Sequence, residues 1–194
     1  MPDLATAPEV FRAAVAALSA VRPRPEVEFD PIPAPARLAP WAYAWGLELS
    51  GAPSGELAAE GQASAIGRLV LLHDPASPES WAGTLRLIGF VRADLDVEFA
   101  GDPLLPAVGW SWLTDALDSC GAAYLALGGT VTQTSSARFG DITGPERADD
   151  VELRASWTPV GTDLGPHAEA FCELIAAAAG LPPVGVVALS KHRE

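Results

Sequence analysis

From Val151 to Thr158 the residues alternate without a break. Val151, Leu153, Ala155 and Trp157 are apolar, while Glu152, Arg154, Ser156 and Thr158 are polar. Such period-two alternation dictates a β-strand with one dry and one wet face. The stretch LGGTVTQTSSARFG, Leu127 to Gly140, repeats the arrangement upstream. Leu125, Leu127, Gly129 and Val131 are assigned to one side, and Thr130, Thr132 and Thr134 to the other. Two strands with matching faces belong to an antiparallel sheet that is covered on one side. The glycines do not form a phosphate loop, because neither a lysine nor a helical pattern follows them. Gly128-Gly129 instead marks a bulge or the close approach of a helix.

Three more strands are legible. AWGLEL alternates through Trp45, Leu47 and Leu49. GRLVLLHD, Gly67 to Asp74, is apolar on both faces and therefore central. The segment from Gly83 alternates through Leu85, Leu87, Gly89 and Val91. Helical spacing appears at Val10, Phe11, Ala14, Val15 and Leu18, after Thr6-Ala7-Pro8-Glu9, which has the form of a capping box. A second helix opens at Asp102-Pro103, has a wide apolar face of Val108, Trp112, Leu113, Ala116, Leu117 and Cys120, and stops at Gly121. A third runs from near Pro166 to Ala179 around Phe171, Leu174 and Ile175, and ends at Gly180.

The expected architecture is therefore α+β: one domain over 1–194, with a five-stranded, mainly antiparallel sheet and helices packed on one face. The element order is α-β-β-β-α-β-β-α. Prolines at 23, 25, 31, 33, 35 and 40 make 22–40 a stiff extended connection, pinned to the body by Val27 and Phe29. The polar, small-residue segment 51–66 reads as a mobile loop, and 188–194 as a frayed tail.

Twenty-five acidic and twelve basic residues give a net charge of −13. That sign disfavours nucleic acid and anionic membranes as partners. No apolar run is long enough to cross a bilayer, and the N-terminus lacks the pattern of a secretory signal. Cys120 and Cys172 are too few for a disulfide framework and too far apart for paired zinc ligands. They read as small hydrophobes in a reducing cytoplasm. No cofactor motif is present, so none is expected.

Candidate sites are few. His73-Asp74 cannot form a dyad on one strand, and His167 stands at a helix start, where the dipole lowers its basicity. Asp94, Asp96 and Glu98 alternate along one strand side. They form either the wet face of an edge strand or, as the alternative and if Asp102 or a loop carbonyl joins them, the ligands of a hard cation in a metal-assisted enzyme. Arg86, Ile88, Phe90 and Arg92 share a strand side. If that side coincides with Thr130, Thr132, Glu152 and Arg154, the sheet presents cations, hydroxyls and an aromatic ring together, as a peptide or small acidic ligand would require. An ordinary solvated face laced with ion pairs is the competing reading. Trp110 and Trp112 lie about 200° apart on a helix and hardly enter one core together. The surplus ring needs another surface, a second layer of the same chain or a partner copy, and the expectation is a homodimer.

GRLVLLHDP, DPLLPAVGWSWL, GGTVT, ELRASWTP and AGLPPVGV resemble an uncharacterised actinobacterial family, a domain of unknown function. The resemblance spans most of the chain and implies cytoplasmic residence, but carries no catalytic residues. The element order alone is similar to the secretion-chaperone-like fold, whose members are often small acidic dimers that bind other proteins. The function expected from these features is a non-enzymatic protein-binding or chaperone-like module. An enzyme or small-ligand binder is the alternative.

Overall fold

A computed structural model describes residues 4–49, 65–96, 98–141 and 147–184. Six strands form one sheet: β1 (Val27–Ile32), β2 (Trp41–Leu49), β3 (Ala65–His73), β4 (Leu85–Asp94), β5 (Tyr124–Ala137) and β6 (Arg147–Pro159). Three helices accompany them: α1 (Glu9–Ser19), α2 (Leu105–Ser119) and α3 (Gly165–Ala178). The strand order is β1-β2-β3-β4-β6-β5, and every neighbouring pair is antiparallel. The α+β class and the antiparallel sheet stand, but the sheet has six strands rather than five.

The additional strand is β1, inside the proline-rich segment. Its Pro31 lies opposite Trp45. An edge strand tolerates this because only one of its sides joins the ladder. Val27 is 4 % exposed, and Phe29 stacks on Trp45 at 5.8 Å and 8°. These two side chains hold the segment down, as their sequence suggested.

All three helices contribute to one core against one sheet face. Trp45, Leu47, Leu69, Leu71, Leu87, Val91, Leu153 and Trp157 supply the strand side. Phe11 and Leu18 of α1, Leu113 and Leu117 of α2, and Phe171, Leu174 and Ile175 of α3 supply the other. Helix α3 lies over β3 and β4, where small residues make room. A Cβ added to Gly89 would come within 2.7 Å of the Phe171 ring, and one added to Gly67 within 3.3 Å of Ile175. Helix α2 lies over β5 and packs on α3.

Local details differ from expectation in three places. Helix α1 begins at Glu9 with Pro8, not Thr6, in the cap position. Thr6 closes a short 3-10 turn instead. Leu125 is 51 % exposed rather than facing the core. The β5–β6 register shifts between Leu125 and Gly128, where Ala126 adopts φ 50°, and this bulge turns Leu125 to the opposite face. Strand β4 stops at Asp94, and a turn then carries Glu98 and Phe99. The expected loop falls largely on residues 50–64, and the expected tail on 188–194. Both lie outside the described residues, while Ala65 and Ile66 already belong to β3.

Candidate functional site

The second face of the sheet has two zones. In the upper zone, Ala42, Ala44, Val70 and Leu72 form a small apolar cluster. Ile32, Ala34 and Ala39 from the proline-rich segment and Trp81 from the 3-10 turn Glu79–Trp81 pack on it. The chain thus folds its own β1–β2 connection, with a turn at residues 36–37, onto this part of the sheet. Thr158 Oγ1 donates to the Trp81 carbonyl and fastens that turn to β6.

The lower zone has no such cover among the described residues. The register runs Gly46, Arg68, Phe90, Arg154 and Thr130 across five strands, and Glu48, Ile66, Arg92, Glu152 and Thr132 in the next row. The condition set by the sequence is therefore met. Arg92 shares one surface with Thr130, Thr132, Glu152 and Arg154, and Phe90 lies among them. The Arg154 guanidinium carbon sits 5.5 Å from the centre of the Phe90 ring, a cation–π arrangement.

The charges on this surface are partly compensated. Arg154 Nε donates to Glu152 at 2.6 Å, and Arg92 Nη2 donates to Asp150 at 3.0 Å. Arg86 has no carboxylate partner among the described residues. It donates to the hydroxyls of Thr158 at 3.1 Å and Ser156 at 2.7 Å, and burial draws its pKa below the ordinary arginine value. The sequence missed Arg68, an exposed cation with no ion pair among the described residues, and Ile66, which is 47 % exposed. Arg68 sits in a strand that reads as apolar on both faces, and Ile66 falls in the segment that reads as a loop. Only the cross-strand register shows that they flank Phe90.

The two tryptophans do not divide as their angular separation suggested, since both rings pack half-buried against the same core. Trp110 lies over Gly129, where an added Cβ would come within 2.8 Å of its ring. Both readings of the Gly-Gly pair therefore hold: a bulge precedes it and a helix approaches it. Trp112 lines a cleft of about 460 Å³ at the end of α3, together with Phe99, Val108 and Ala178. Asp94, Asp96 and Asp102 also line it, and among the described residues no basic side chain does.

The metal alternative loses its geometric basis. Asp94 ends its strand and Glu98 lies in the turn beyond, so the three carboxylates do not alternate on one strand. Among the described residues no three His, Cys, Asp or Glu side chains gather as metal ligands would. His73 Nδ1 lies 2.9 Å from the Thr84 carbonyl, and His167 accepts from Trp157, so both rings have structural partners.

A family model described as a protein of unknown function, DUF3000, matches residues 7–187. The chain belongs to that family. No curated protein and no solved structure matches it. Membership of DUF3000 brings no catalytic residue with it, so function must be argued from the surface just described. No helix among the described residues of this DUF3000 chain is long and apolar enough to cross a membrane.

Proposed function

We propose that the protein is a non-enzymatic, chaperone-like binding module that receives an extended polypeptide on the open lower half of its sheet. One observation carries the reading. The chain's own proline-rich connection between β1 and β2 already packs on the upper half of this face, on an apolar floor. The lower half continues the floor with Phe90 and Ile66 and adds Arg68, Arg92 and Arg154. An aromatic ring flanked by guanidinium groups suits a segment carrying apolar and acidic side chains. The reduced cysteines accord with a cytoplasmic setting.

A photoreactive residue placed at Ile66 in cells should cross-link such a partner. The purified partner should then bind the native protein and lose at least about tenfold in affinity, about 1.4 kcal/mol, against an Arg68→Glu/Phe90→Ala variant. Equal affinity for both proteins would defeat the proposal.

The cleft beside Trp112 supports a second reading, as a site for a small ligand. An apolar wall with three carboxylates and, among the described residues, no cation favours an organic amine with an apolar body. Thermal-shift screening with hydrophobic amines tests it, with Trp112→Ala abolishing any stabilisation.

A further inference from the structure

The two edges of the sheet are unlike. Strand β1 has six residues and carries Glu28, Asp30 and Pro31, the charges and proline with which natural edges resist pairing. Strand β5 has fourteen residues and not one charged side chain or proline. Its bulge lies at Ala126, near the start, and the stretch from Gly128 to Ala137 then pairs with β6 without interruption. Among the described residues, no backbone hydrogen bond outside the β5–β6 ladder involves residues 126–137. A long regular strand thus presents outer amides and carbonyls that find no backbone partner among the described residues.

We propose that this edge is the interface of a homodimer, in which β5 of one copy pairs antiparallel with β5 of a second. The partner is argued from charge. A chain of net charge −13 repels its own copy over most of its surface. The β5 edge is a place where two copies meet without opposing like charges, and its threonines suit cross-strand contact. A two-fold axis at the middle of the Gly128–Ala137 stretch makes the interface self-complementary and closes the assembly at two. It also joins the sheets into one of twelve strands, by doubling the six, with both open faces on the same side. Helix α2 lies over β5, so the half-exposed Trp110 stands beside the seam. The proposal does not depend on what binds the open face.

The test uses the full chain. Sedimentation velocity at micromolar concentration should give a dimer. In a two-fold pairing Thr132 approaches its own copy, so Thr132→Lys and Thr132→Glu should each weaken association at least about tenfold, or about 1.4 kcal/mol. Mixing the two variants should restore a dimer, because opposite charges then meet across the axis. Recovery on mixing also shows that each variant is folded. A monomer at several hundred micromolar, a larger assembly, or a dimer indifferent to both charges would each overturn the proposal.

Discussion

The indole Nε1 of Trp157 donates a hydrogen bond to Nδ1 of His167 across 3.2 Å, between side chains that are 0 % and 1 % exposed. The bond requires Nδ1 without a proton, so the ring is neutral. Burial is the chief cause that lowers the His167 pKa to about 4, while the charge of Asp163 pulls the other way. The helix start proposed from the sequence is thus not the leading cause.

Acid stability should follow from this bond. Unfolded, His167 binds a proton near 6.5; folded, it does so only near 4. The stabilisation is therefore complete above pH 6.5 and is lost as pH falls toward 4. The loss is about 2 kcal/mol by pH 5 and on the order of 3 kcal/mol in full. Urea midpoints across this range will show it, and His167→Asn, which keeps an acceptor, should flatten the dependence. A native protein equally stable at pH 7 and pH 5 would refute the assignment.

Adjacent glycines should respond differently to the same change. A Cβ on Gly129 would collide with the Arg154 carbonyl and come within 2.8 Å of both Ala155 Cα and the Trp110 ring, whereas one on Gly128 meets nothing within 4 Å. Gly129→Ala should cost roughly 3 kcal/mol, since backbone cannot yield as a flexible side chain does, and Gly128→Ala less than about 0.5 kcal/mol. Thermal unfolding of the two variants checks the contrast. Removing Trp110 should not rescue Gly129→Ala, because the worst collision is with backbone.

The cysteines should label in sequence. Burial, followed by the nearby Glu173, pushes the Cys172 thiol up to about 12. Cys120 is raised as well, but remains partly exposed. Iodoacetamide at pH 8 should modify Cys120 slowly and Cys172 only after unfolding, because the thiolate is the reactive form. Mass spectrometry of the time course distinguishes the sites, and early alkylation of Cys172 would contradict its burial.

Strand β6 was legible because its alternation is local. Val151, Leu153 and Trp157 are buried and Arg154 is exposed, as their spacing requires. Strand β1 was hidden because proline speaks against a strand only where both sides of the ladder must bond, and sequence does not reveal which strands are edges. Leu125 was misplaced because Ala126 adopts a left-handed conformation that its residue type does not announce. The open face was half visible. Arg92, Glu152, Arg154 and the threonines could be grouped by parity within each strand, but Arg68 and Ile66 join them only through pairing across strands. The cleft beside Trp112 was beyond reach, since its walls come from segments more than sixty residues apart.

The position of β6 between β4 and β5 orders the birth of the molecule. As the chain leaves the ribosome, β1 to β4 can assemble as a meander, but β5 emerges with nothing to hold until β6 has followed. The hairpin then docks as a unit, and α3, made later still, seals the core over strands synthesised long before. Nascent chains halted before residue 147 would therefore hold an unfinished sheet with a bare flank, the state in which a growing polypeptide most needs protection.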